Sequence, residues 1–411
     1  MHILYIILVL LIITRLFGEL AERVGQPSLL GELVSGIFLG ILIHYYGGEF
    51  PTLAGLPKNE VFIALTDLGI FFLMLLGGIE MHPRDLVKAS GSASIVALFG
   101  MLVPLGIGMG FGWLILPESP YRFAQTLFLG TALAITAVPV AIKVLMDMKM
   151  LETDIGQMIV SAAVIDDVLS LVLLAVMTAM IETGALPDGD GLLLLGGKVV
   201  LFFVIATLLG RYIFPLMGRR LKKARAEEFE FSALLVAALA YALLAEKLGM
   251  HFILGAFLAG LFFVRRTIDD KTYNDIFRKT SALTTGFLAP IFFASIGMRL
   301  ELAALWNIPG LVILLILAAT VGKVVGAGAS AKLMGFSTRE SLAVGSAMNA
   351  RGAVELIVAD IALRAGLFSL PEPPPPEVSN LFSAVVIMAV VTTLITPPAL
   401  KIAMPSDGGG K

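Results

Sequence analysis

Long apolar runs recur along the whole chain and are separated by short polar loops. Runs of 18 or more residues with few charges are long enough to cross a bilayer as helices. The pattern therefore predicts an all-α polytopic membrane protein with thirteen spans. We place these spans approximately at 2–18, 29–45, 60–80, 91–116, 122–146, 155–182, 191–215, 229–246, 251–265, 281–298, 308–334, 340–364 and 378–402. They form one membrane domain over residues 1–402, and residues 403–411 are expected to be a short disordered tail.

Lysine and arginine are distributed unequally between the loops of the two sides. If the N-terminus lies outside, most of them fall on one side, including the cluster GRRLKKARAEE at 218–228. Short cytoplasmic loops collect positive charge, so that side is predicted to be cytoplasmic, as is the C-terminus. We interpret the cluster as an anchor beside anionic lipid, not as a nucleic-acid site. The expected location is a bacterial inner (plasma) membrane.

Composition narrows the class further. The chain of 411 residues is 58% hydrophobic and 15% charged, with a net charge of −2, which does not favour a nucleic-acid partner. It contains no cysteine, which excludes disulfides and thiolate metal sites. The four histidines lie at span ends, so a histidine metal site is not expected; they are His2, His44, His82 and His251. No nucleotide-binding or zinc-protease motif is present, and no cofactor is predicted.

A short motif occurs twice in the chain. GELVSGIFLG at 31–40, in the second span, resembles GAFLAG at 255–260, in the ninth. Helix-breaking residues occur in both the fifth and the twelfth span, which gives the same offset of seven spans. An odd offset reverses the direction of the second copy, and inverted repeats are typical of secondary transporters. We predict repeats at about 2–182 and 229–402, joined by the span at 191–215.

Two adjacent carboxylates, Asp166 and Asp167, lie inside the apolar helix that contains SAAVIDDVLSLVLLA. A charge near the bilayer centre costs several kcal/mol, roughly 2.5–3.5 on the insertion scale. Neighbours on a helix point about 100° apart, so both cannot face one partner. One can pair with a cation while the other faces water. Burial and a second carboxylate both favour the protonated form, so one of the two could exchange a proton for a metal cation.

Lys323 lies near the middle of the apolar eleventh span, in ATVGKVVGAGASAKL. Its ammonium is the expected partner of one aspartate, and the glycines around it allow close helix approach. The alternative is a lysine that extends to the cytoplasmic surface, although Lys332 already marks that surface.

The fifth and twelfth spans both contain residues that interrupt helices. The residues concerned are Thr131, Thr136 and Pro139 in one span, and Asn349, Arg351, Gly352 and Glu355 in the other. Proline frees the carbonyl four residues earlier, and freed carbonyls with Thr136 would offer hard oxygen ligands to an alkali ion. A simple kink at Pro139 is the alternative. For Arg351 and Glu355, four residues apart, we favour a structural ion pair over ion ligation.

The motifs together resemble those of the bacterial monovalent cation:proton antiporters, in the branch with paired aspartates. The similar segments span nearly the whole chain in order: 31–40, 67–81, AAVIDDVLSLVLLA at 162–175, HFILGAFLAGLFF at 251–263, APIFFASIGM at 289–298, NARGAVELI at 349–357 and VVTTLITPPALK at 390–401. The resemblance implies a thirteen-helix fold with a dimerisation domain, a mobile six-helix core, and unwound fifth and twelfth spans that cross near the ion site.

The resemblance also implies roles for individual residues. Asp167 corresponds to the main cation and proton carrier, and Asp166 to the partner of Lys323; Thr136 and the backbone near Val138 correspond to further ligands. Family members work as homodimers with an elevator motion. Kef-type potassium systems differ because they carry Gln-Asp and a nucleotide-binding domain, which favours sodium here. Ala137 stands where relatives often carry a hydroxyl, so the ligand count, and with it the preference between Na⁺ and K⁺, stays open.

We therefore expect an electrogenic exchange of cytoplasmic Na⁺ or Li⁺ for external H⁺, by a transporter that is not an enzyme and that works in the lipid bilayer. K⁺/H⁺ exchange is the alternative within the family. An intramembrane aspartyl protease is a remote alternative, because its two acids must meet about 3 Å apart and adjacent helical positions diverge. A passive cation channel is a third, although channels usually repeat a filter around an axis.

Overall fold

The computed structural model describes residues 2–46, 59–81, 91–137, 150–183, 189–221, 228–263 and 270–404, with a few further positions at 48, 55–56, 141–142, 145–146 and 148. The predicted tail beyond residue 404, the segment 222–227 of the basic cluster, and the ion-site positions Val138 and Pro139 lie outside the described residues.

The described part of the chain is entirely helical apart from its connections. The helices longer than four residues are α1 His2–Arg23, α2 Ser28–Tyr46, α3 Glu60–Glu80, α4 Gly91–Ile115, α5 Arg122–Ala134, α6 Asp154–Thr183, α7 Gly189–Leu221, α8 Phe229–Lys247, α9 Phe252–Phe262, α10 Asp270–Arg299, α11 Pro309–Leu333, α12 Thr338–Ala347, α13 Ala353–Arg364 and α14 Leu381–Ala403. Within these described ranges, nine helices are long and apolar enough to cross a membrane. The chain is therefore a multi-pass, all-α membrane protein.

The beginning of α10 differs from the sequence prediction. The tenth span was predicted over 281–298, but the helix begins at Asp270. Its first turns are amphipathic: Tyr273, Ile276 and Thr280 are buried, and Arg278 on the opposite face is exposed. A search for continuous apolar runs misses such a helix, because only one face carries apolar residues.

Two of the helices that the structure describes contain a π-helical turn. In α10 this turn covers Thr284–Leu288, and in α11 it covers Val324–Ala329, immediately after Lys323. A π-helical turn inserts one residue into the helical ladder and is frequent at functional sites.

The chain divides into two compact units, which we describe separately. The first comprises residues 1–83 and 189–300, and therefore holds α1–α3 and α7–α10. The second comprises residues 84–188 and 301–411, and holds α4–α6 and α11–α14. Each unit contains segments from both predicted repeats.

In the first unit the two similar glycine motifs make corresponding contacts. A β carbon at Gly31 would lie 2.1 Å from the Phe17 carbonyl oxygen on α1, and one at Gly255 would lie 2.2 Å from the Tyr241 carbonyl oxygen on α8. Five residues later, Gly36 and Gly260 are packed as closely against α10 and α3, respectively. Only glycine permits such backbone approach. The first and second halves of this unit thus use glycines at corresponding positions of the two motifs for these helix contacts.

In the second unit, α5 ends at Ala134, and the twelfth predicted span is divided into α12 and α13. The remaining helices, α4, α6, α11 and α14, enclose these two interruptions, and all the candidate site residues that the structure describes belong to this unit.

Candidate functional site

The interrupted segments after α5 and between α12 and α13 contact each other directly. The Ala137 amide donates a 2.8 Å hydrogen bond to the Ala350 carbonyl. The Thr136 hydroxyl donates a 3.1 Å bond to the Met348 carbonyl. A β carbon at position 352 would lie 2.6 Å from Ala137 Cβ, so Gly352 makes this close approach possible. Each segment therefore supplies hydrogen-bond partners to polar groups of the other that lie outside the regular helices, as buried polar groups require.

The guanidinium of Arg351 binds the end of α5. Its two terminal nitrogens donate to the carbonyls of Ala132 and Leu133, each at 2.7 Å, and to the carbonyl of Ile135. These carbonyls lack partners because the helix ends there, and the end of a helix carries partial negative charge. Arg351 thus neutralises the end of α5 from across the site.

This function of Arg351 was not predicted from the sequence, which indicated only an ion pair with Glu355. Arg351 Nε does lie 3.6 Å from Glu355 Oε2, and both side chains are fully buried. Glu355 belongs to the first turn of α13, where negative charge is favoured. Within the described residues, neither carboxylate oxygen of Glu355 accepts a hydrogen bond. The sequence did contain a signal for this contact, because Arg351 is a cation inside an apolar span and lies beside a predicted helix break.

Lys323 lies between the interrupted segment and the aspartate helix. Its Nζ atom donates a 2.6 Å hydrogen bond to Thr136 Oγ1 and lies 3.5 Å from Asp166 Oδ2. Lys323 and Asp166 are fully buried. The lysine therefore does not extend to the membrane surface. Its ammonium is shared between a carboxylate on α6 and a hydroxyl on the segment after α5.

The two aspartates of α6 have different surroundings. Asp166 is fully buried beside Lys323, whereas Asp167 is partly exposed. Across the described ranges no salt bridge involves the Asp167 carboxylate, although the Lys323 ammonium is near enough to attract it. This is the divergence expected of neighbouring positions on a helix.

Several buried oxygen atoms around the site accept or donate no hydrogen bond within the described residues. They include Thr131 Oγ1 on α5, Ser170 Oγ on α6, Asn349 Oδ1 between α12 and α13, and both carboxylate oxygens of Asp166. The Asn349 amide nitrogen donates a 3.4 Å bond to Thr320 Oγ1, which fixes that side chain one turn before Lys323. Buried polar atoms are normally satisfied, so a group of such oxygens indicates room for an ion or water.

Known protein sequences and structures resemble this chain over nearly its whole length. The family described as "sodium/hydrogen exchanger, transmembrane" matches residues 6–404. The Na(+)/H(+)-K(+) antiporter GerN of Bacillus cereus is 31% identical, over 96% of this chain and 94% of its own length. The Na(+)/H(+) antiporter of Enterococcus hirae is 27% identical, over 98% of both chains.

Plant relatives are longer. Cation/H(+) antiporter 17 of Arabidopsis thaliana is 30% identical to this chain. The match covers 95% of this chain but 47% of the plant protein. Among solved structures, the sodium proton antiporter MjNhaP1 of Methanocaldococcus jannaschii superimposes with a TM-score of 0.72. It covers 100% of both chains at 19% sequence identity, and this likeness supports the fold.

Proposed function

The chain belongs to the sodium/hydrogen exchanger family, whose pattern covers residues 6–404, and we propose that it exchanges cytoplasmic Na⁺ or Li⁺ for external H⁺. It is a multi-pass membrane transporter rather than an enzyme. The exchanged ions are its substrates, and no cofactor takes part.

One observation supports the proposal most strongly. The only ammonium beside the acidic pair, among the described residues, is shared between Asp166 and Thr136, and Asp167 is left unpaired and partly exposed. A carboxylate at membrane depth that forms no ion pair is costly in its ionised form, and a bound proton or cation removes that cost. Asp167 is therefore proposed to be the carrier, and Asp166 to hold Lys323.

The formal charges of the site favour a monovalent substrate. Asp166, Asp167 and Glu355 supply three negative charges when ionised, against two positive charges from Lys323 and Arg351. One alkali cation or one proton at Asp167 neutralises the surplus, so the two ligands can replace each other. A divalent cation would leave an excess positive charge in a buried site, which is costly.

Further oxygen ligands are proposed from the interrupted segments. Thr136 Oγ1 keeps one lone pair after accepting from Lys323, because a hydroxyl oxygen has two acceptor positions. The backbone near Val138 and the unpartnered oxygens of Thr131 and Asn349 are the other candidates. Arg351 and Glu355 have supporting roles, since they lie at the ends of α5 and α13. Pro139 keeps the supporting role proposed from the sequence.

The proposed cycle is a competition at Asp167 between the cation and the proton on each side of the membrane. If Lys323 also releases its proton when Asp166 changes partner, two protons move per cation and the exchange is electrogenic. We propose that the unit carrying the site moves across the membrane in an elevator-type cycle, that the protein works as a homodimer, and that its N-terminus lies outside and its C-terminus in the cytoplasm.

K⁺ is a second candidate substrate, favoured by one specific observation. The similar Bacillus protein is named an Na(+)/H(+)-K(+) antiporter.

The other two alternatives have less support. The intramembrane protease requires two acids that share a proton, whereas Asp166 is paired with Lys323. The family is one of exchangers, which argues against both a protease and a passive channel.

The proposal is tested with purified protein in liposomes that contain a pH-sensitive dye. Addition of Na⁺, Li⁺ or K⁺ outside acidified vesicles should release luminal protons, with Na⁺ and Li⁺ effective at lower concentrations than K⁺. The control is Asp154→Asn, at an exposed position at the start of α6, the helix that carries Asp167. This variant should exchange cations at the wild-type rate.

Three results would contradict parts of the proposal. Exchange that is insensitive to an imposed membrane potential would contradict electrogenicity. Proton release at lower concentrations of K⁺ than of Na⁺ would favour K⁺/H⁺ exchange. Cation flux without proton flux would indicate a channel.

A further inference from the structure

The segment between α12 and α13 leaves backbone groups outside any helix. Arg351 lies in this interruption and is 1% exposed, so its amide and carbonyl groups are out of contact with bulk water. Each buried backbone group requires a hydrogen-bond partner, and at a helix break that partner must come from elsewhere in the fold.

Thr393 on α14 supplies both partners. Its hydroxyl accepts a 3.0 Å hydrogen bond from the Arg351 amide and donates a 3.0 Å hydrogen bond to the Arg351 carbonyl. Thr393 is also 1% exposed. A single hydroxyl thus clamps both backbone polar groups of one residue, which fixes that residue's position and its peptide orientation.

Neighbouring threonines on α14 behave differently. Thr392 donates to the carbonyls of Met388 and Ala389, and Thr396 donates to the Thr392 carbonyl. Both follow the usual pattern, in which a buried threonine in a helix bonds to its own preceding turn. Thr393 is turned toward the interruption, although it lies on the same helix and is equally buried.

The residue held by this clamp organises the rest of the site. The Arg351 side chain binds the carbonyls at the end of α5. The adjacent Ala350 carbonyl accepts from Ala137, next to Thr136. Thr136 in turn accepts from Lys323. Every link is a hydrogen bond between groups that are at most 6% exposed.

We propose that Thr393 is a positioning residue of the cation site. It does not contact the ion; it fixes the Arg351 backbone, and through it the end of α5 and the Thr136 hydroxyl. This inference rests on the proposed function, because it assigns Thr393 to the site where the cation is exchanged. It predicts that loss of the hydroxyl weakens cation binding more than it slows turnover, since no ionisable group is removed.

The test compares Thr393→Val, which keeps the shape without the hydroxyl, with Thr393→Ser, which keeps the hydroxyl. Thr392→Val is the matched control, because it removes a hydroxyl of equal burial that bonds only within α14. Two quantities are measured on the full chain: the Na⁺ concentration that gives half-maximal thermal protection in detergent, and the KM and kcat for Na⁺ in proteoliposomes.

For Thr393→Val we expect both the half-maximal Na⁺ concentration and the KM to rise about tenfold, with a smaller change in kcat. Thr393→Ser and Thr392→Val should stay within about twofold of the wild type. Equal Na⁺ binding by Thr393→Val and Thr392→Val would overturn the proposal. So would a loss in kcat alone, or a KM that Thr393→Ser does not restore.

If Thr393→Val fails to fold, Thr393→Cys replaces it and is compared with Thr393→Ser, because the thiol takes the place of the serine hydroxyl but is a weaker donor and acceptor. Wild-type Na⁺ binding by the cysteine variant would then overturn the proposal, and a raised half-maximal concentration would support it. Failure of the wild type to exchange any cation would instead contradict the proposed function, so the two failures are distinguishable.

Discussion

Lys323 donates a 2.6 Å hydrogen bond to Thr136, and both side chains are buried. The ammonium is therefore held by the interrupted segment after α5 as well as by the carboxylate of Asp166. Because Thr136 also donates to the Met348 carbonyl, one hydroxyl connects the charged pair to the interruption between α12 and α13. A change in the partner of Lys323 would thus be transmitted to both interrupted segments, which carry the proposed ion ligands.

The pair of Asp166 and Lys323 should be required for stability. Asp166→Asn leaves a fully buried ammonium without its countercharge, and we expect it to lower the free energy of unfolding by about 3–5 kcal/mol. Combination with Lys323→Met should restore part of this loss, because the unpaired charge is then removed. Denaturation of the two single variants and the double variant in detergent measures the coupling. Additive losses would show that the two charges do not interact.

The two threonines of this region should respond differently to valine. Thr136→Val removes the acceptor of Lys323 and the donor to Met348, and should lower stability by about 1–3 kcal/mol and raise the KM for Na⁺. Thr131→Val removes a buried hydroxyl that has no partner within the described residues. The free energy of unfolding of this variant should therefore equal or exceed that of the wild type. Melting temperatures and Na⁺ transport measure both effects. A larger loss of stability in the Thr131 variant would contradict this assignment.

Arg351 should not be replaceable by lysine. The planar guanidinium reaches three carbonyls at the end of α5, and a single ammonium cannot reproduce that geometry. We expect Arg351→Lys to lose at least about 2 kcal/mol of stability, although the charge is kept. Arg339→Lys, at an exposed position in the first turn of α12, is the control and should match the wild type. Equal melting temperatures for the two variants would indicate that Arg351 acts only through its charge.

The fold class and most helix positions follow from the apolar pattern, because membrane helices must bury their backbone groups internally and must be long enough to span the bilayer. The pattern fails at α10, whose first turns from Asp270 are apolar on only one face. It also gives no indication of the π-helical turn after Lys323, since that turn depends on packing and not on composition.

The sequence alone predicted that a buried lysine would face the acidic pair, because charges at membrane depth need partners. It did not predict that Thr136 shares this lysine, that Arg351 binds the end of α5, or that Thr393 holds the Arg351 backbone. These contacts join positions more than 40 residues apart in the chain. They depend on the direction in which single side chains point, which periodicity and composition do not encode. The roles of Val138 and Pro139 stay predictions, since both lie outside the described residues.

The central claim is that one carboxylate, Asp167, holds either a proton or an alkali cation, while its neighbour is neutralised by Lys323. The most direct measurement adds Na⁺ to purified protein in weakly buffered detergent solution and follows proton release with a pH dye. The wild type and Asp154→Asn should release protons as Na⁺ binds, and Asp167→Asn should neither bind Na⁺ nor release protons. Wild-type Na⁺ binding without proton release, or undiminished release by Asp167→Asn, would contradict the claim.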